Sequence, residues 1–199
     1  MLLNLLLRTH NRPLGFKRML GSIKSQTYTD YRIIVSVDNE VTEKYVIDNG
    51  ISDYIKICPD PKHQFPADAY FNTMLAEVKE GYVWCVDDDD FVAHERVLEI
   101  IACNVVQDKI SIFKMQTANN SVLPGPGYFG SKVEVCHIGT PCFVVPIDIA
   151  KQVKWGGISG SDFFYIRDVV NLVGYDHVLW VDEIIYKIDK PSQRGRGEF

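Results

Sequence analysis

Val83-Trp84-Cys85-Val86-Asp87-Asp88-Asp89-Asp90-Phe91 joins an unbroken apolar run to four consecutive aspartates. A short run of this kind reads as a strand covered on both faces, as in a parallel sheet between helices. The carboxylates then fall at the strand's C-terminal end, the edge where open α/β sheets bind ligands. Adjacent carboxylates there repel, and each raises its neighbours' proton affinity unless a cation or hydrogen-bond donors compensate. A solvated acidic turn is the plain alternative. Placement directly after a buried strand favours a hard divalent cation, because all-oxygen ligands suit magnesium, manganese or calcium.

Outward from this stretch, strands and helices alternate. Leu2 to Arg8 is a first buried strand, Thr9-His10-Asn11-Arg12 a polar loop, and Pro13 a helix opener. Phe16, Met19, Leu20 and Ile23 form one apolar helical face. A second strand over Arg32 to Val37 ends at Asp38, and a helix over Glu40 to Asp48 stops at Asn49-Gly50. Tyr54 to Cys58 is a short strand, Pro59 to Pro66 a loop, and Ala67 to Glu80 a helix with Phe71, Met74, Leu75 and Val78 inward. Glu95 to Gln107 is a further helix, facing inward through Leu98, Ile101, Ala102 and Val105. This order predicts a mainly parallel, βαβ-built sheet with right-handed crossovers.

The second half reads differently. Ile110 to Met115, Lys132 to His137 and Cys142 to Val145 are strand-like without long helices between them. Thr117 to Gly130, rich in Gly, Pro and Asn, is long enough to suggest a functional loop. Ser161 to Val173 is a helix and His177 to Ile188 a strand. The expectation is one domain over 1–199, with a nucleotide-binding half over 1–109 and a mixed-strand acceptor half over 110–199.

A net charge of −5 supplies no global field for nucleic acid or anionic membrane, although a local basic groove is compatible with it. Met1 to Leu7 lacks a basic leader and a cleavage site, and no apolar run reaches membrane-spanning length. The five cysteines contain no CxxC pair and sit mostly in apolar segments, which reads as buried, reduced thiols in a cytoplasmic protein. Only Lys190 to Gly197 looks mobile in isolation.

The first, second and fourth strands would bring Arg8 to Arg12, Asp38 and the aspartates to one sheet edge. Here the sequence resembles the family 2 glycosyltransferases of GT-A fold. The resemblance rests on Leu7-Arg8-Thr9-His10-Asn11-Arg12-Pro13, Ser22-Ile23 with Gln26-Thr27-Tyr28, and Ile33 to Asp38. It continues with Asn72 ahead of Gly81-Tyr82, Asp87 to Asp90, and Gly160-Ser161-Asp162. It implies a nucleotide-sugar donor, most plausibly a UDP-sugar, with Mn2+ or Mg2+ as cofactor. Arg8, Thr9 and His10 would line the nucleobase pocket beside Arg12, and Asp38 would accept a hydrogen bond from the base. Asp87 and Asp88 would lie against the donor, Asp87 on ribose or metal. Asp89 would be the main metal-binding carboxylate, and Asp162 the base that deprotonates the acceptor hydroxyl in a single inverting displacement.

Simpler roles stand beside these. Ser161 or Asp162 suits a helix N-cap, as Asp38 does for the following helix. His10 suits a loop hydrogen bond, Arg12 an ion pair with local carboxylates, and His94 and His137 structural positions, although His137 to Thr140 could edge an acceptor pocket.

The sequence also departs from the family pattern. Ser161 replaces a frequent acid, Lys62 or His63 would have to stand in for a basic residue before the Asn72 helix, and no histidine follows His177. Asp189 could replace a late metal-binding histidine, or Arg194 and Arg196 could hold the diphosphate. The QxxRW motif of processive synthases is absent. That fits a compact, phage-type or accessory enzyme moving one sugar to a hydroxyl acceptor, either a glycan, a protein or a modified DNA base. A sugar nucleotidyltransferase would carry a Gly-rich loop after the first strand, which Thr9 to Pro13 is not. A non-catalytic nucleotide-sugar-binding module is the third reading.

Overall fold

The computed structural model describes residues 1–57 and 67–189. Pro59 to Pro66, Cys58, Lys62, His63 and the tail with Arg194 and Arg196 lie outside the described residues. Nine strands form one sheet: β1 (Leu3–Arg8), β2 (Tyr31–Val37), β3 (Tyr54–Lys56), β4 (Tyr82–Asp87), β5 (Phe91–Val92), β6 (Ile110–Gln116), β7 (Val122–Leu123), β8 (Phe143–Pro146) and β9 (Val178–Lys187). Their order is β3-β2-β1-β4-β8-β6-β9-β5, with β7 on β6. The helices are α1 (Pro13–Lys24), α2 (Glu40–Asp48), α3 (Ala67–Glu77), α4 (Val97–Asn104), α5 (Ile147–Ala150) and α6 (Ser161–Val173).

The first four strands are parallel, as the alternation predicts. From β8 onward the sheet is mixed: β8 runs antiparallel to β4 and β6, while β6 and β9 are parallel. β4 is fully apolar from Val83 to Val86 and buried there, because it lies between β1 and β8 with side chains packed on both faces. Its register sets Arg8 beside Asp87, so paired side chains project to the same face at the same edge.

Local chemistry explains the bounds. Pro13 occupies the first turn of α1, where its missing N–H costs no helical hydrogen bond. The Asn39 side chain caps α2 by accepting from the Thr42 N–H at 2.8 Å. Gly81 does not end α3, which stops at Glu77; it opens β4 with φ +89°. A Cβ there would sit only 2.3 Å from the Leu2 carbonyl oxygen, so the close approach of the β1 and β4 starts requires glycine.

Three expectations need correction. Lys132 to His137 is not a strand. Its apolar alternation finds no ladder partner, Cys136 takes φ +64°, and His137 stacks on Tyr128 at 3.6 Å. The two-residue β5 and one-turn α5 were too short for periodicity to register. Among the described cysteines only Cys85 and Cys142 are buried; Cys103 and Cys136 are exposed and free.

Candidate active site

The C-terminal ends of β1, β2 and β4 and the start of α6 converge. Arg8, the last residue of β1, donates from Nε to Asp87 Oδ1 at 2.7 Å. Its guanidinium lies over the Phe71 ring of α3, 5.7 Å from the centroid. The charge of Asp87 raises the Arg8 pKa further above its ordinary value. Asp87 itself is held through its backbone: the Tyr186 hydroxyl of β9 accepts the Asp87 N–H and donates to its carbonyl, both at 3.1 Å.

The next aspartate faces inward. Asp88 is 1% exposed. Its Oδ2 accepts from the Thr9 hydroxyl at 2.6 Å and the His10 N–H at 3.3 Å, and its Oδ1 from Arg12 Nη1 at 2.8 Å. Burial pushes the Asp88 pKa up to about 6, against the opposing pull of Arg12. Thr9 is equally buried and also bonds the Tyr45 hydroxyl at 2.5 Å. Thr9 and Asp88, expected to face the donor, therefore spend their side chains on each other and on Arg12. β4 ends at Asp87, and the turn that begins at Asp88 carries its carboxylate inward against Thr9 and Arg12. Arg12 takes the ion-pair role, with Asp89 Oδ2 also 3.2 Å from its Nη1.

Asp38, directly after β2, closes the other end of this edge. Its Oδ2 meets His10 Nδ1 at 2.5 Å and accepts from the Tyr70 hydroxyl at 2.6 Å, and its Oδ1 accepts from Asn39 Nδ2 at 2.8 Å. The His10 side chain stays 60% exposed, the open face of an otherwise committed cluster. A cavity of about 130 Å³ adjoins it, lined by Val37, Asp38, Asn39, Glu43 and Lys56 among others. A larger cavity, about 790 Å³, lies elsewhere, between β6, β7 and β9, and contains none of the expected site residues.

Asp162 is the second residue of α6. The cap position is Gly160 in the left-handed region, and neither Ser161 nor Asp162 caps the helix. Burial raises the Asp162 pKa and the charge of Asp87 adds to it, while the Phe163 N–H and the charge of Arg8 oppose. Asp162 thus lies within the electrostatic reach of both Asp87 and Arg8. Asp189 is drawn to α1 instead: its carboxylate pairs with Arg18 at 2.6 Å, and its N–H donates to Asp90 Oδ1 at 2.9 Å.

Among the described residues, no group of three or more His, Cys, Asp or Glu side chains could hold a metal ion. The carboxylates of Asp87 and Asp89 nevertheless fit the way Mg2+ and Mn2+ are held on nucleotide phosphates, by one or two carboxylates completed by phosphate oxygens and water. Asp87 has a single side-chain partner and is partly open; Asp89 is nearly closed.

Tyr70, Tyr45, Tyr186 and Arg18 went unnoticed in the sequence. Each reads there as core or surface; only the fold reveals that Tyr70, Tyr186 and Arg18 reach the carboxylate or backbone of an aspartate at this edge, and that the Tyr45 hydroxyl meets the Thr9 hydroxyl and the Arg12 N–H.

Comparison with known proteins bears on the family and the fold. The profile described as Glycosyl transferase family 2 matches residues 5–144, well over half the chain. No curated protein matches. Among solved structures, S. aureus TarS 1-349 in complex with UDP superposes with a TM-score of 0.71 at 14% identity, covering 96% of this chain and 61% of that one. The mannosyltransferase PcManGT from Pyrobaculum calidifontis, in complex with GDP-Man and Mn2+, gives 0.72 at 11% identity, covering 98% and 59%. Glucosyl-3-phosphoglycerate synthase from Mycobacterium tuberculosis, in complex with Mg2+ and UDP, gives 0.65 at 11%, covering 94% and 71%. The chain thus spans about three fifths of the TarS fragment it resembles. With the family profile spanning β1 to β8 and the same architecture in these enzymes, the chain belongs to glycosyl transferase family 2, with the GT-A fold.

Proposed function

We propose that the chain transfers a single sugar from a nucleotide-diphosphate sugar, a UDP-sugar by preference, to a hydroxyl acceptor with inversion at the anomeric carbon. One observation carries the reading: Arg8, Asp87 and Asp162, from three separate elements, share one electrostatic neighbourhood at the sheet's ligand-binding edge. Asp162 accepts the proton of the acceptor hydroxyl as that oxygen bonds to the anomeric carbon. The bond from that carbon to the phosphate oxygen breaks on the opposite side, and the nucleoside diphosphate leaves. Burial suits Asp162 to the task by raising its proton affinity toward working pH.

Asp87 and Asp89 would hold Mn2+ or Mg2+. The ion supplies Lewis-acid neutralisation of the departing diphosphate. Arg8 adds a fixed positive charge beside Asp87. His10 presents its exposed ring to the base, oriented by Asp38, and Arg12 supports this edge from behind through Asp88. TarS, PcManGT and the glucosyl-3-phosphoglycerate synthase, crystallised with UDP, GDP-Man, Mn2+ or Mg2+, support donor and ion of these classes.

The acceptor is a glycan or another hydroxyl-bearing molecule. A modified DNA base requires a basic groove for its phosphates, which the net charge of −5 does not favour. The described cysteines are all free thiols, consistent with a reducing, cytoplasmic setting. No described helix is long and apolar enough to cross a membrane.

Incubation of the purified protein with Mn2+ and a panel of nucleotide sugars tests the reading. Slow release of UDP is expected. Asp162→Asn should lower transfer by about 10²–10⁴-fold while leaving UDP affinity within about twofold, well inside the tenfold that 1.4 kcal/mol represents. Pyrophosphate exchange would identify a nucleotidyltransferase instead, and binding without turnover a non-catalytic module.

A further inference from the structure

The carboxylates of the acidic turn are committed to very different degrees. Asp88 is saturated by Thr9, His10 and Arg12 and shut away from solvent. Asp87 has one side-chain partner, Arg8, at 2.7 Å through Nε alone. The two terminal nitrogens of Arg8 make no hydrogen bond to a described residue, and its side chain is 37% exposed. The guanidinium also lies over the Phe71 ring, 5.7 Å from its centroid, a contact that uses none of its donors. Because β1 and β4 are in register at Arg8 and Asp87, this pair is set by the sheet itself.

We infer that Arg8 is the internal counter-ion of Asp87 and exchanges it for the donor's diphosphate, so that the free protein resists the divalent ion until a nucleotide arrives. This rests on the proposed use of Asp87 for the ion. A guanidinium 2.7 Å from a carboxylate oxygen occupies the ground an approaching dication needs and repels it. A diphosphate offers that guanidinium a better partner, since its planar fork of donors matches phosphate oxygens. Arg8 can turn its terminal nitrogens outward with Phe71 still beneath it, and Asp87 is then released as an oxygen ligand. Ion and nucleotide consequently assist each other's binding, and by linkage the assistance is mutual.

Mn2+ affinity of the donor-free protein, read from the electron paramagnetic resonance signal of free Mn2+, tests this. UDP affinity in EDTA is read alongside by calorimetry. The variants are Arg8→Met and Arg8→Gln; the glutamine keeps a hydrogen bond for Asp87 but removes the charge, and so guards against simple loss of fold. Both variants are expected to bind Mn2+ about tenfold more tightly than the wild type without UDP, and to bind UDP about tenfold more weakly without metal, the scale of one charge contact. An Arg8 that merely props Asp87 in place predicts the reverse for Mn2+. Equal or weaker Mn2+ binding by both variants therefore overturns the inference, as does unchanged UDP affinity in EDTA. If the wild type takes up no Mn2+ even with saturating UDP, the inference falls together with the proposed metal role. If the wild type takes up Mn2+ with UDP and the variants match its donor-free Mn2+ affinity, only Arg8's part falls.

Discussion

Asp162 and Asp88 are both carboxyl groups whose proton affinity burial raises, yet their surroundings give them opposite consequences. As the proposed base, Asp162 would work only when ionised. Its folded pKa is raised, so the acid limb of kcat/KM should lie above the ordinary aspartate value. A pH–rate profile whose limb sits at or below that value would remove Asp162 from the base position. Asp88 is ionised against Arg12 in the interior, and removing one partner of a buried pair strands the other. Arg12→Met should therefore lower stability by about 3–5 kcal/mol. The sign of its pH dependence follows from Asp88. A carboxyl whose folded pKa is raised, here to about 6, loses stability as pH climbs through that value and regains it below. Without Arg12 its proton affinity rises further, so the deficit should be largest near neutrality and shrink on acidification. Urea titrations of both proteins at either end of that range would show it; a deficit that grows on acidification contradicts the assignment. That the four aspartates close a buried strand was legible in the sequence. Which of them face the cleft was not, because that depends on where the strand ends and on which cations stand behind it.

At the scale of elements, Asn72 links α3 to the segment that leads into α6. Its Nδ2 donates to the Trp155 carbonyl at 3.0 Å and its Oδ1 accepts the Trp155 N–H at 2.9 Å. Trp155 stacks on Tyr165 of α6 at 4.3 Å, one turn beyond Asp162. Asn72→Ala leaves two buried backbone groups unmatched and should cost about 2 kcal/mol or more. Transfer should slow through the displaced helix while UDP affinity holds, which denaturation curves, turnover rates and UDP titration together would reveal. α2 and α6 were readable to the residue because Asn39 caps the start of α2 with its side chain, while Gly50 after α2 and Gly160 before α6 take a positive φ that few other residues accept. The stretch around Val133 and Val135 misled because alternation marks a strand only where a neighbour supplies the ladder, and the fold offers none. Tyr70 was invisible as a site residue for a related reason. A helical tyrosine on an apolar face reads as core, and only the crossing of α3 over β2 turns its hydroxyl toward Asp38.

For the whole molecule, the sheet does not divide at residue 109. β4 is completed by β8, and β5 has β9 as its partner, so residues 1–109 borrow their outer edge from residues 110–199. A fragment of residues 1–109 should consequently lack a cooperative melt, since β4, still paired to β1, would expose its other edge at Val83 and Trp84. Circular dichroism on heating decides this, and a sigmoidal transition would mean that the halves are separable domains. The phenol of Tyr186 gives the same dependence a direction in time. It grips the main chain of Asp87 from 99 positions further along, beneath Trp84 and out of reach of solvent. On the ribosome, the acidic loop is therefore made early and fastened late. A nascent polypeptide that stalls short of β9 carries every aspartate of the turn but lacks the Tyr186 hydroxyl that holds the Asp87 main chain, so the turn is fastened only once β9 has been made.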